Sequence, residues 1–139
     1  MKIYYATSIS GEQNEDSEKT NIALINYLKN FGEVLTEHFS NPDLQLKGET
    51  ELSNKEIHDR DMSWLLSADV IVAEVSNISL GVGYEIGRAV EYNKKILCLR
   101  RKSPKRLSAM ISGSDALTLK EYTNLSEGKV FIDDFFNNL

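Results

Sequence analysis

Apolar residues recur along this chain with two periods, and the switch between them marks the elements. Lys2 to Ser8 is a short apolar run ending in small polar residues, and it predicts a first strand. From Asp16 to Phe31, Ile22, Ile25, Leu28 and Phe31 recur every third residue, and Ala23, Leu24 and Tyr27 widen the stripe. That spacing predicts a helix, with Gly32 as its stop. Glu33 to Glu37 predicts a short second strand. Asn41 to Thr50 carries Pro42 and Gly48 and reads as a loop. Asn54 to Leu66 is helical, capped by Ser53 or Asn54, with Ile57, Met62, Trp64 and Leu65 toward the core. Val70 to Val75 is almost wholly apolar, as expected of a parallel strand buried on both faces. A glycine-bearing helix follows. Then come a strand at Lys95 to Arg100, a short helical piece at Leu107 to Ile111, an edge strand at Ala116 to Lys120, and a last helix over Phe131 to Phe136.

Strand and helix signals thus alternate. The order predicts an α/β fold: one doubly wound, mainly parallel five-stranded sheet of Rossmann or flavodoxin-like type, with helices on both faces. Residues 1–139 are expected to form a single domain. Right-handed crossovers bring the carboxyl ends of the strands to one edge, where ligands of such sheets bind. The segments at that edge are Ser8-Ile9-Ser10-Gly11, Glu37-His38, Ser76 to Gly81, and Arg100 onward.

Composition narrows the function. Apolar residues make up 41% of the 139 and charged residues 27%, ordinary values for a soluble globular chain. No apolar run approaches the roughly 20 residues of a membrane helix, and the start does not read as a signal peptide. The lone cysteine, Cys98, sits in an apolar strand and reads as a buried, inert thiol, so the expected location is cytoplasmic. A net charge of −5 argues against a nucleic-acid partner. It also means that an anionic substrate needs a local positive field. The run Arg100-Arg101-Lys102-Ser103-Pro104-Lys105-Arg106 is either that field or a solvated loop.

The segment richest in chemistry is Ser79-Leu80-Gly81-Val82-Gly83-Tyr84-Glu85-Ile86-Gly87-Arg88. Small residues stand at a strand-to-helix turn, where free N–H groups suit a phosphate. Glu85 follows Gly81 by four residues and shares its helix face. Asp61, three residues before Trp64 and four before Leu65, points nearer the core side of its helix than Asp59 does. A carboxyl beside apolar surface has a raised pKa and can serve as an acid. Tyr4 and Tyr5 alternate across the first strand, one to each face, and His38 follows the second strand. Each of these residues also has a plain structural reading: an exposed helix carboxylate, a solvated charged face, core tyrosines, a surface histidine. His and Cys do not cluster at metal-ligand spacing, and neither a Gly-Lys-Ser/Thr phosphate loop nor a Gly-x-Ser-x-Gly elbow is present. No metal or cofactor is expected.

Taken together, the segments resemble the 2′-deoxynucleoside 5′-monophosphate N-hydrolases, relatives of the nucleoside 2-deoxyribosyltransferases. The resemblance covers most of the chain. It is carried by Phe31 to His38, Ala68 to Val75, Ser79 to Ala89, Asn93 to Leu99 and Leu107 to Ile111. It implies hydrolysis of the bond between base and 2-deoxyribose 5-phosphate. It assigns Glu85 as nucleophile on the anomeric carbon, Asp61 as acid for the leaving base, and Tyr4 as the residue beside the reacting centre. It gives Ser79 and Gly81 the 5′-phosphate, His38 the base, and counts Ser8 and Ile9 of the first loop among the substrate-binding residues. Ser108 would reach the phosphate in a neighbouring subunit's site, so the implied unit is a homodimer. One loop departs from the pattern. Where the family reads Gly-Ser-Ile-Arg-Gly-Gly, this chain has Thr7-Ser8-Ile9-Ser10-Gly11-Glu12, losing an arginine and gaining an acid near the phosphate.

The residue chemistry accords with this. A glycosidic bond breaks through an oxocarbenium-like state that one carboxylate stabilises while another gives a proton, with carboxyls about 5–5.5 Å apart in retaining O-glycosidases. Two rivals stay open at this level: a deoxyribosyltransferase acting on unphosphorylated nucleosides, and a nucleotide-binding module without catalysis.

Overall fold

A computed structural model describes residues 1–8, 15–37 and 52–139. Ile9, Ser10, Gly11, Glu12, His38 and the loop expected at 41–50 lie outside the described residues. Five strands form one parallel sheet: β1 (Lys2–Thr7), β2 (Glu33–Leu35), β3 (Val70–Glu74), β4 (Lys95–Arg101) and β5 (Thr118–Tyr122). Their spatial order is β2-β1-β3-β4-β5. The order reverses between β1 and β3, which opens a crevice at the carboxyl ends of those two strands. The helices are α1 (Glu15–Leu28), α2 (Asn54–Ser67), α3 (Leu80–Glu91), α4 (Ala109–Ser112) and α5 (Leu125–Asn137).

Alternation along the strands divides the interior into two cores. On one face, Tyr4, Ala6, Ile71, Ala73, Ile96 and Cys98 pack against Met62 and Leu65 of α2 and Val82, Ile86 and Ala89 of α3. On the other, Ile3, Tyr5, Val70, Val72, Leu97 and Leu99 pack against Leu24, Ile25 and Leu28 of α1 and Ile132 of α5. All five residues of β3 are buried, as its unbroken apolar run requires. Burial pushes the Cys98 thiol up to about 12, which makes it inert.

Four expectations shift. Helix α1 ends at Leu28, and Gly32 is not its stop. A Cβ at Gly32 would lie 2.3 Å from the Met1 carbonyl oxygen, which also accepts the Glu33 N–H at 3.0 Å. The glycine therefore serves the close approach of the chain to the start of β1. Helix α5 begins six residues before Phe131, because Asn124 caps it by accepting from the Glu127 N–H at 2.9 Å. Strand β5 lies two residues further along than expected, and its last residue, Tyr122, is fully buried against Glu74. Helix α4 starts at Ala109, after Ser108 as its cap. Helix α2, which carries Asp61, is anchored by a complete capping box: Ser53 Oγ accepts the Glu56 N–H at 3.1 Å, and Glu56 accepts the Ser53 N–H at 3.3 Å.

Candidate active site

Three carboxyl groups from three separate elements converge at the β1–β3 crevice. Glu37 follows β2, Asp61 lies on α2 and Glu85 on α3, and one oxygen of each lies within 4.8 Å of the others. Glu85 projects inward because α3 packs Val82, Ile86 and Ala89 on the sheet and so turns that side of the helix toward β1. Tyr4 stands beneath it, 1% exposed, and its hydroxyl donates to Glu85 Oε1 at 2.9 Å. Tyr5 points to the opposite face, where its hydroxyl donates to Asn21 Oδ1 at 2.6 Å. Of the two tyrosines, Tyr4 therefore belongs to the site.

The electrostatics follow from burial and crowding. Burial pushes the Glu85 carboxyl up to about 7; the Tyr4 hydrogen bond opposes this and the nearby Glu37 charge adds to it. The Tyr4 hydroxyl is driven far above its ordinary value, first by burial and then by Glu85, so it is a fixed donor. Asp61 is buried, and Arg60 Nε holds its Oδ1 at 3.0 Å while the guanidinium lies 4.7 Å from the centre of the Trp64 ring. On the outer side, Tyr84 clamps α2 to α3. Its hydroxyl meets His58 Nε2 at 2.9 Å and accepts from Arg88 Nη1 at 2.8 Å.

The remaining expected residues fall in different places. Ser79 caps α3, with its Oγ accepting the Val82 N–H at 3.2 Å, and Gly81 lies in the first turn. A Cβ at Gly81 would meet Ser79 Oγ at 3.8 Å, an ordinary contact, so packing within the chain does not require glycine there. Ser8 is buried just past the end of β1. Ser108 is exposed, caps α4, and accepts the Met110 N–H at 3.2 Å. Ile9 and His38 lie outside the described residues.

Glu37 was foreseen only as part of an edge loop. Its signal was available: Leu35 packs toward the Tyr4 side of the sheet, and two residues on, the same alternation points Glu37 to that side. Among the described residues, Glu37, Asp61 and Glu85 are also the His, Cys, Asp and Glu side chains placed to share a cation. The basic run that begins at the end of β4 lines another cavity. Arg101, Lys102 and Lys105 line a separate cavity of about 300 Å³ on the α1 side. Its polar groups bond one another: Glu74 accepts from the Tyr122 hydroxyl and from the Ser76 N–H at 2.6 Å, and Arg101 Nη2 donates to Thr20 Oγ1 at 2.7 Å. Arg100 is buried, donates to the Lys105 carbonyl, and lies 3.8 Å from Glu121. It braces its own loop.

Crowded carboxyls with one fixed hydroxyl donor can share a proton and offer an anion to a developing cation. Proteins of known sequence and structure share this frame. The chain is 46% identical over 142 residues to a zebrafish (Danio rerio) protein named 5-hydroxymethyl-dUMP N-hydrolase, covering 100% of this chain and 98% of that one. It is 42% identical over 138 residues to the human protein of the same name, covering 96% and 78%. Among solved structures, the Clostridium botulinum CMP N-glycosidase BcmB superposes with a TM-score of 0.70 at 19% identity, over 97% of this chain and 99% of that one. BlsM superposes at 0.73 and 21% identity, over 99% and 90%. The model of the family described as nucleoside 2-deoxyribosyltransferase matches residues 3–131, and this chain belongs to that family.

Proposed function

We propose that the protein is a hydrolase of the N-glycosidic bond of 2′-deoxynucleoside 5′-monophosphates, with 5-substituted dUMP as the foremost substrate class. The observation that carries this reading is the buried Glu85 carboxyl, held by the Tyr4 hydroxyl at 2.9 Å and with an oxygen within 4.8 Å of one on Asp61. Relatives at 42–46% identity named 5-hydroxymethyl-dUMP N-hydrolase support the substrate class.

The reaction runs in two displacements. The Glu85 carboxylate attacks C1′ of the sugar, the bond from C1′ to the base breaks with its electron pair going to the base, and Asp61 gives the base a proton. Water then attacks C1′ of the glycosyl ester. Its proton returns to Asp61, and the released products are free base, deoxyribose 5-phosphate and the Glu85 carboxylate. The separation of the carboxyls suits the retaining, covalent route better than the inverting one, which needs about 6.5–9.5 Å to seat a water.

Tyr4 serves the first step by stabilising the anionic form of Glu85. Arg60 lies 3.0 Å from Asp61 Oδ1, and burial pushes the Glu85 carboxyl up to about 7, so a proton can reside on Glu85 in the free site. Attack and departure need that proton on the Asp61 side, and the two arrangements differ only by its transfer. The amino end of α3, with Ser79 and Gly81, receives the 5′-phosphate on its first-turn N–H groups.

The functional unit is a homodimer in which Ser108 completes the neighbour's phosphate site. A groove of about 390 Å³, lined by Gly83, Ile86, Gly87, Val90, Met110 and Leu117 among others, supports this. A Cβ at Gly83 or Gly87 would meet nothing within 4 Å, so the two glycines answer to something outside the chain. Ile78 and Leu80 beside them are 97% and 95% exposed, and Met110 is 82% exposed. Met110→Asp is expected to give monomers in sedimentation and to lose about tenfold or more in kcat/KM with the loss of the shared phosphate contact. A monomeric native protein, or an active monomeric variant, overturns the shared site.

The deciding experiment is a panel of deoxy- and ribonucleoside 5′-monophosphates, 5-hydroxymethyl-dUMP included, with free base and pentose 5-phosphate as readouts. Release of base from the deoxynucleotides is expected, and no release from any member refutes the reading. The family's name also suggests base exchange. A second base added to the assay traps a new nucleoside if the protein is a transferase.

A further inference from the structure

We propose that Glu37 is a positioning residue for the reaction proton: its charge keeps one proton within the Asp61–Glu85 pair at neutral pH. This rests on the N-hydrolase reading above. Three carboxyls meet where the chemistry has two roles, nucleophile and acid. Glu37 reaches the group from β2, the strand next to β1, where Tyr4 pairs with Leu35. It lines one small pocket with Tyr4, Thr36 and Glu85.

Five charged or titratable groups among the described residues are seen to face this point. They are Tyr4 from β1, Glu37 from the end of β2, Arg60 and Asp61 from α2, and Glu85 from α3. With all three carboxyls ionised, these described groups would bring three negative charges within 4.8 Å of one another, beside the guanidinium of Arg60. Carboxylates this close cannot all ionise at once, so a proton is retained among them. Arg60 draws the charge toward Asp61, and the Tyr4 hydroxyl favours the Glu85 anion. Glu37 adds the like charge that opposes loss of the last proton to solvent: burial raises the Glu85 carboxyl first, and repulsion from Glu37 adds to it. Without Glu37, the pair would still have its nucleophile above neutrality but would have lost the proton needed by the departing base. Substrate binding enhances the effect by excluding water from the group.

The test pairs a titration with a rate profile, using Glu37→Gln and Glu37→Asp. Carbon-13 carboxyl NMR follows Glu85 in the free protein, and kcat/KM for 5-hydroxymethyl-dUMP is followed from pH 5 to 9. In Glu37→Gln the Glu85 midpoint is expected to fall by about one pH unit or more, and the alkaline limb of the rate profile to move with it. The variant should then lose about tenfold at pH 8 while staying within about threefold of the native rate near pH 5.5. Glu37→Asp keeps the charge and should restore the alkaline limb. An unmoved Glu85 midpoint overturns the proposal, as does an equal loss of rate at every pH. A protein that cleaves no nucleotide yet shows the shifted midpoint refutes the N-hydrolase reading and upholds proton retention by Glu37.

Discussion

Glu85→Gln is expected to abolish turnover, with kcat down by roughly 10³-fold or more, in a protein that still folds and binds nucleotide. The amide matches the carboxyl in shape and its oxygen still accepts from the Tyr4 hydroxyl, so the site keeps its geometry. It has no anionic oxygen to bond C1′ or to balance the oxocarbenium charge. Stability should move the other way. The folded pKa of Glu85, about 7, lies above its ordinary 4.5, so the folded chain binds this proton more tightly than the unfolded chain does. The cost of ionising Glu85 in place is absent below about pH 4.5, grows as pH rises toward 7, and is full above it. At pH 8 it is on the order of 3 kcal/mol, and Gln does not incur it. Glu85→Gln is therefore expected to raise Tm at pH 8 and to leave it nearly unchanged at pH 4.5. Full activity in the variant refutes the nucleophile. An unchanged Tm at pH 8 would show that Glu85 is not ionised against its surroundings. A gain in stability with loss of activity is the behaviour of a functional group held under strain in the native protein.

The sequence displayed the sheet well because nearly every core position obeys a period. The unbroken run of β3 and the alternation in β1 specify burial on two faces and on opposite sides, and the two cores follow from them. Asp61 was legible from its place beside Trp64 and Leu65 on the apolar side of its helix, whereas Glu85 stood out through the glycine-rich segment that carries it and the family resemblance of that segment. Glu37 was passed over because β2 has only three paired residues, so the alternation that points it toward the Tyr4 side rests on little more than Leu35. Gly32 misled because a glycine after a helical pattern usually marks a cap, whereas here its neighbour is Met1, far away in sequence. The basic run stayed open between a local positive field and a solvated loop. An anionic substrate calls for positive charge, but nothing in Arg100 to Arg106 says which face of the sheet those side chains serve. Arg100 is spent on its own loop and on Glu121. The early start of α5 could have been read from Asn124-Leu125-Ser126-Glu127, a capping pattern that the aromatic cluster further on obscured.

Asp61→Asn tests the other half of the chemistry, and its effect should depend on the base that leaves. An asparagine cannot give the departing base a proton, and loss of such an acid typically costs about 10²–10⁴-fold. That loss should be full for nucleotides whose base leaves poorly. It should shrink steadily along a series of 5-substituted dUMP analogues whose bases bear a negative charge more readily, because such bases need less help. Arg60 complicates the variant, since it loses its ion pair with Asp61 while its side chain is only 21% exposed. A structural disturbance from that loss would slow every substrate by the same factor. The slope of rate against base acidity therefore separates the two causes: a steeper slope than in the native protein identifies Asp61 as the acid, and a parallel line shows that Asp61 only holds α2 in place. The second displacement gives an independent check. In the proposed route Asp61 takes a proton from the attacking water there, so in the variant, with a base that leaves readily, breakdown of the Glu85 ester is expected to become limiting. A burst of free base ahead of pentose 5-phosphate is then expected, with the sugar carried on Glu85 and detectable by mass.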